Sequence, residues 1–254
     1  MEIGWRWFFV MPKFFVKQSN IKDGHIIIDG SDLNHIKNVF RFSIGDNLTL
    51  SDGNGMDYYV EILEQNSKYI NSRIINRYPT NSEPCVNVTL YQGIPKSTKM
   101  DFIIQKTVEL GVHEVVPVLC DRTVVKFSTD KDVKKKVERW QKIASEASKQ
   151  CGRGIIPNVR DVITLKEAVD ESIKFDLSII PYEKEKINML KNAIERNAKN
   201  VSVFIGPEGG FTTQEVEMSI KNNIVPVTLG NRILRAETAS IYTMSVIMYE
   251  LDQD

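Results

Sequence analysis

From Val86 to the C-terminus, short apolar runs alternate with longer amphipathic ones, and this rhythm restricts the available folds more than any other feature. Strands are predicted over residues 86–92, 114–119, 177–181, 201–206 and 225–229. Helices are predicted over residues 99–110, 131–150, 187–197, 213–221 and 237–251. Apolar strands separated by helices belong to a parallel sheet covered on both faces. The first 80 residues read differently. Residues 8–16, 25–29, 48–51, 58–63 and 69–75 are short β-rich runs, with Asp52-Gly53-Asn54-Gly55 as the strongest turn. One helix, capped by Ser31, is expected over residues 32–40. This pattern suggests a small, strongly curved sheet or barrel. Residues 78–84 are polar, carry two prolines and read as a linker. The expected fold class is α/β with a small β domain, divided as residues 1–80 and 86–254.

Composition removes several functional classes. The chain has 254 residues, 33 Lys+Arg and 33 Asp+Glu, so a uniformly cationic nucleic-acid binder is excluded. That neutrality conceals segregation. Residues 81–160 carry 14 basic and 9 acidic side chains, whereas residues 161–254 carry 10 and 15. Three cysteines (Cys85, Cys120, Cys151) without a C-x-x-C argue against a disulfide framework or a zinc site. No apolar run reaches the roughly 18–20 residues of a membrane span. The opening MEIGWRWFFV lacks the features of a secretory leader, so a cytoplasmic protein is expected. His25, His35 and His113 are scattered and adjoin neither notable loop, which disfavours a His-based triad or metal site.

Two strand-to-helix junctions stand out, since ligands of open α/β sheets bind at such places. The first, Ile205-Gly206-Pro207-Glu208-Gly209-Gly210-Phe211-Thr212, leaves backbone groups open to close approach. It matches neither G-x-x-x-x-G-K-[ST] nor G-x-G-x-x-G. On glycine count alone, a tight turn is as good a reading. The second is Leu229-Gly230-Asn231-Arg232-Ile233-Leu234-Arg235-Ala236-Glu237-Thr238-Ala239. Glu237 and Thr238 can serve a helix N-terminus. Arg232 and Arg235 suit an anionic ligand, with salt bridges to the acidic C-terminal third as the alternative. On the helix predicted at residues 131–150, Lys131, Lys135, Arg139, Lys142 and Lys149 share one face, and Val133, Val137, Trp140, Ala144, Ala147 and Cys151 the other. That basic face, extended by Arg153, is either an RNA contact or merely solvated.

The two junctions resemble the cofactor-binding motifs of the SPOUT methyltransferases, and within them the branch that methylates N3 of a uridine in 16S rRNA. Shorter matches extend over nearly the whole chain: Lys13-Phe14-Phe15-Val16, His35-Ile36-x-x-Val39-Phe40-Arg41, Lys99-Met100-Asp101-x-Ile103-Ile104-Gln105-Lys106, Glu109-Leu110-Gly111-Val112, Arg139-Trp140-x-Lys142 and Gln150-x-Gly152-Arg153. Departures are Lys13 where Arg is common, Asn231 where Pro is common, and Cys151 for a usual Ser. Residues 1–10 are expected to be an extension, with Met11 the alternative start.

The resemblance implies an N-terminal PUA-like β-barrel, then a SPOUT α/β domain ending in a trefoil knot. It also implies a homodimer that binds S-adenosyl-L-methionine in the knot loops and acts on 16S rRNA, favouring the assembled small ribosomal subunit, with neither metal nor membrane. Cofactor contacts are expected at Pro181, Ile205, Gly206, Pro207, Glu208, Gly209, Gly210, Leu229, Gly230, Ile233, Leu234, Thr238 and Ala239, with Tyr182 and Glu183 completing a third wall. Catalytic roles are expected at Arg232, Arg235 and Glu237. RNA contacts are expected at Lys13, Arg41, Lys135, Arg139, Lys142 and Arg153. Two rival readings are an RNA-binding assembly factor with a vestigial cofactor site, and a SPOUT methyltransferase for another RNA base.

Overall fold

The computed structural model describes residues 13–252 and divides the chain into two units. The first holds the chain up to Glu83 together with Ser148–Ile156; the second holds Pro84–Ala147 and the chain from Pro157 onward. The first half of the strand expected at residues 8–16, the extension at residues 1–10 and the Ser31 side chain lie outside the described residues.

In the first unit, β1 (Phe14–Phe15), β2 (Ile21–Lys22), β3 (His25–Ile28), β4 (Asn47–Ser51), β5 (Met56–Gln65) and β6 (Ile70–Pro79) form one sheet in the order β1-β4-β5-β6-β3-β2. β1 is parallel to β4, and every other pair is antiparallel. Alternation along β5 turns Val60 and Ile62 onto a core of Phe14, Ile26, Ile28, Leu48, Leu50 and Ile70. The turn before β5 is held by Asp52, whose Oδ1 accepts the N–H groups of Asn54 at 2.8 Å and Met56 at 3.1 Å. The helix expected at residues 32–40 starts earlier, as α1 (Gly30–Asn34), and continues as a π-helical turn over His35–Val39.

Segment Ser148–Ile156 is fastened within this unit by charge. Glu83 Oε1 accepts the N–H groups of Gly154 at 2.8 Å and Ile155 at 3.1 Å, while Oε2 takes Arg153 Nη2 at 2.6 Å. Lys149 pairs with Asp32 at 2.8 Å. Lys13 Nζ reaches Asp57 at 2.7 Å and Thr80 at 3.1 Å. Arg153, expected to touch RNA, is only 4% exposed, and Lys13, expected likewise, is held against a buried carboxylate, so both charges are engaged within this unit.

The second unit contains β7 (Asn87–Gly93), α2 (Lys99–Glu109), β8 (Glu114–Leu119), most of α3 (Asp130–Cys151), β9 (Asn158–Val159), β10 (Ile163–Thr164) and α4 (Leu165–Glu171). It continues with β11 (Leu177–Pro181), α5 (Leu190–Ala193), β12 (Asn200–Ile205), α6 (Thr213–Lys221), β13 (Val225–Val227) and α7 (Ala236–Leu251). The sheet order is β10-β8-β7-β12-β11-β13, with β9 also on β8, and every pair is parallel.

Period-two alternation sends Val88, Leu90, Val201, Val203 and Ile179 to one face, against Met100, Ile104, Trp140, Met244 and Ile247. Tyr91, Val116, Phe204 and Ile180 face the other, against Leu165, Val169 and Val216. Burial on both faces explains why these strands read as continuous apolar runs. Two helices differ from expectation. α4 was missed; it is launched by a capping box in which Thr164 and Glu167 satisfy each other's backbone N–H. The helix expected at residues 187–197 shrinks to α5, because Glu185 Oε1 already accepts the N–H groups of Ile187 at 2.7 Å and Asn188 at 3.0 Å.

A polar knot on the second face ties β7 to α4. Arg160 grips Glu171 with two bonds of 2.7 and 2.8 Å, and the Tyr91 hydroxyl donates to the same carboxylate at 2.7 Å. The Arg160 bonds, opposed by burial and helped by Tyr91, hold the Glu171 carboxyl down to about 2. A depressed folded value means stabilisation that is complete above the unfolded value of about 4.3 and lost as pH falls from there through about 2. Denaturation midpoints followed from pH 6 to 2 should therefore drop more steeply for the natural chain than for Glu171→Gln. Solvent screening limits the difference at pH 6 to roughly 1–2 kcal/mol. Parallel acid limbs in the two proteins would refute the assignment.

Candidate functional site

Because the sheet is wholly parallel, the carboxyl ends of β11, β12 and β13 emerge along one edge, and a cavity of about 560 Å³ opens there. Three segments wall it: Pro181 to Glu183 after β11, Ile205 to Phe211 after β12, and Thr228 to Ala236 after β13. Lys99, Lys186 and Ala239 complete the lining.

The glycine loop after β12 is wound too tightly for side chains at two points. A Cβ on Gly206 would lie 3.1 Å from the Gly210 backbone, and one on Gly93, at the end of β7, would lie 2.6 Å from Pro207. The loop is clamped from outside. Arg122 Nη1 donates to the Gly209 carbonyl at 2.8 Å, and the Lys96 N–H donates to Glu208 at 3.1 and 3.2 Å. The capping box of α6 pairs Thr212 with Glu215, whose Oε1 also accepts the Asp121 N–H at 2.8 Å.

The loop after β13 is open. Gly230 turns it at φ +105°, its N–H held by Thr228 Oγ1 at 3.2 Å. Beyond that, the backbone N–H and C=O groups of residues 231–234 have no hydrogen-bond partner among the described residues. A cavity lined by unsatisfied backbone is prepared to hydrogen-bond a ligand. Arg232 and Arg235 both line it, both are exposed, and neither makes an ion pair or side-chain hydrogen bond among the described residues. No described residue of the acidic C-terminal third pairs with either arginine.

Lys99 Nζ joins the two loops. It sits 3.0 Å from Glu208 Oε1 and 3.5 Å from Glu237 Oε2. Its bond to Glu208, more than offsetting burial, raises the Lys99 ammonium above its ordinary range. Burial pushes the Glu208 carboxyl up, but its own backbone N–H, Lys99 and the Lys96 N–H pull it lower still.

Of the expected cofactor positions, Pro181, Ile205, Gly206, Pro207, Glu208, Gly209, Gly210, Leu229, Gly230, Ile233, Leu234 and Ala239 all line the cavity. Thr238 does not; it is exposed, and α7 starts from Arg235 with no side-chain cap. Glu237 also stands outside the lining and reaches it only through Lys99. On α3, Lys135 and Lys142 are exposed, whereas Arg139 is bound by Asp101. Arg41 is exposed at φ +58°. Sequence reasoning missed Lys99, Lys186 and the Arg122 clamp. The only trace of Lys99 was its place in a matched motif, because its partners lie far along the chain.

An α/β unit with a loop-built cavity at the carboxyl ends of a parallel sheet, in one chain with a small mixed sheet, is the architecture expected of an RNA methyltransferase with an accessory PUA domain. The family models agree: an RNA methyltransferase domain matches residues 81–248 and an RNA methyltransferase PUA domain matches residues 28–75. Ribosomal RNA small subunit methyltransferase E of Bacillus subtilis is 34% identical over 95% of this chain and 98% of its own. A solved structure of ribosomal RNA small subunit methyltransferase E from Neisseria gonorrhoeae, bound to S-adenosyl methionine, is 30% identical. It superposes with a TM-score of 0.82 over 95% of this chain and 98% of its own. A methyltransferase from Legionella pneumophila in complex with the same cofactor is 28% identical, with a TM-score of 0.83 over 94% and 97%. The chain belongs to the ribosomal RNA small subunit methyltransferase E family.

The Gly93 contact gives a direct test of the packing. Gly93→Ala should force Pro207 away and cost about 1–3 kcal/mol, read as a lower thermal midpoint. An unchanged midpoint would mean that the loop yields freely.

Proposed function

We propose that this chain transfers the methyl group of S-adenosyl-L-methionine to N3 of one uridine in 16S rRNA, acting on the assembled small subunit in the cytoplasm. The observation that carries the reading is the open loop over residues 231–234 facing the tightly wound Gly206 loop across a cavity of about 560 Å³, in a chain whose relatives bear that enzyme's name. The residues present fit the cofactor. Backbone groups at Leu229, Ile233 and Leu234 would hold the adenine, Gly206 and Gly209 would admit it closely, and Pro181, Tyr182 and Glu183 would form the third wall.

When bound, the cofactor supplies an already activated methyl group, so the chain's task is alignment, water exclusion and charge control. Uridine N3 is a weak acid and attacks best as the anion. Arg232 and Arg235, fixed in charge and free of protein partners among the described residues, stabilise that anion and so favour loss of the proton. Since N3 lies on the pairing edge, the uridine enters unpaired. Lys135, Lys142 and Arg41 remain available to RNA phosphates.

In this reading the six-stranded sheet is the PUA-like barrel, residues 86–254 supply the SPOUT domain, and the segments after β11, β12 and β13 form the trefoil knot. A homodimer is proposed on the surface around Ile233, 91% exposed, and Tyr242 of α7, 44% exposed. A second copy would cover these and close the cavity.

Calorimetry should detect S-adenosyl-L-methionine binding, and reverse-transcription stops in a deletion strain should vanish at a single 16S uridine. Absence of binding would favour the assembly-factor reading; a lost modification elsewhere would favour another RNA base. Arg235→Ala should lower turnover by about a hundredfold at saturating RNA and cofactor. The double variant Lys135→Ala/Lys142→Ala should weaken RNA binding and reduce its salt slope by about two; an unchanged slope would make that face merely solvated.

A further inference from the structure

The cluster joining the two cavity loops does not balance its charge. Lys99 is one ammonium set between two carboxylates, Glu208 at 3.0 Å and Glu237 at 3.5 Å. Glu208 is fully engaged, by Lys99 and by the Lys96 N–H. Glu237 is not: its Oε2 is buried and makes no hydrogen bond among the described residues, so only the more distant Lys99 offsets it. A buried carboxylate oxygen normally has a hydrogen-bonding partner. Glu237 stands in the first turn of α7, where the helix N-terminus favours negative charge and helps to keep it ionised. The cluster therefore has one formal negative charge in excess; it meets the cavity through Lys99 and Glu208, in a wall that also carries Glu183, Lys186, Arg232 and Arg235.

We infer that the Lys99–Glu208–Glu237 cluster selects for positive charge in the bound cofactor, so that the cavity prefers the sulfonium donor to its neutral thioether product. The inference rests on the cofactor proposed above and adds what distinguishes substrate from product. On methyl transfer the new bond forms from the uridine N3 lone pair, its proton having left to water. The carbon–sulfur bond breaks with its electron pair remaining on sulfur, and the positive charge disappears. The cluster's attraction for the ligand falls at that moment, and release of the thioether is favoured. Lys99 keeps the two carboxylates from repelling one another and moderates the excess without cancelling it.

The test compares dissociation constants, measured by calorimetry, for S-adenosylmethionine, S-adenosylhomocysteine and sinefungin, in which a protonated amine stands in for the sulfonium. The natural chain should bind both cations more tightly than the thioether, and rising ionic strength should narrow the ratio. Glu237→Gln, isosteric at an oxygen with no hydrogen bond among the described residues, should reduce that preference roughly three- to tenfold. Glu208→Gln should move it the same way. Lys99→Met, which leaves two carboxylates uncompensated, should move it in the opposite direction. Opposite signs separate charge selection from structural damage, which would weaken all three ligands together in every variant. A ratio unchanged across the variants, or shifted one way by all of them, overturns this inference alone. Failure of the natural chain to bind any of the ligands overturns the cofactor assignment and this inference with it.

Discussion

The second unit depends on β7. It pairs with β12 in parallel from Asn87↔Asn200 to Gln92↔Ile205, and with β8 on its other side. Its last two residues carry the site. Gln92 is fully buried; its Oε1 accepts the Ser240 hydroxyl of α7 at 2.5 Å, and its Nε2 donates to the Gly93 carbonyl at 2.9 Å. Leaving Gln92 Oε1 unpaired in the interior would carry its full desolvation penalty, so this bond helps to hold α7 at the strand end, although the Ser240 hydroxyl also lies 2.9 Å from the Ala236 carbonyl of its own helix. Gly93 then brings β7 against Pro207. The glycine loop and the start of α7 are thus positioned by adjacent residues of one strand, and the cavity lies between them.

Charge follows the same logic of local pairing. The excess of positive charge in residues 81–160 suggested a broad basic surface. Yet Arg139 is bound by Asp101, while Lys149 and Arg153, which belong to the first unit, answer Asp32 and Glu83. Lys13 answers Asp57. Each of these acids lies far from its partner in sequence, so window averages count both without showing that they meet. Among the cations singled out, Arg41, Lys131, Lys135, Lys142, Arg232 and Arg235 are exposed and make no ion pair with described residues, and they are the ones that can respond to an anionic polymer or base.

Legibility in the sequence tracked the source of each element's stability. Strands 114–119 and 177–181 and helix 213–221 were read to the residue, because each is set by its own period and bounded by its own breakers. The two-residue strands β9 and β10 have no periodicity to read; they exist because β8 offers its edge to both. Helix propensity at residues 187–197 yielded to side-chain bonds from Glu185 and to Asn188, whose amide donates to the Pro226 carbonyl at 2.9 Å. In the site, backbone-lined positions were visible through glycine and loop pattern. Thr238, expected beside them, lies in the first turn of α7 and outside the lining.

The two loops differ in the kind of charge they bring. The segment after β13 carries Arg232 and Arg235 outward, whereas Glu237, two residues into the helix, turns back to Lys99 and the Glu208 loop. One short stretch therefore gives the cavity free positive charge at Arg232 and Arg235 and adds, by way of Lys99, a carboxylate to the cluster on the Glu208 side. On the proposed reaction this is the polarity required. The nucleophile gains negative charge when N3 loses its proton, the donor carries positive charge, and methyl transfer abolishes both. Interactions tuned to the charged reactants weaken toward the neutral products. The same arrangement that favours the encounter thus also favours emptying the site, without any moving part.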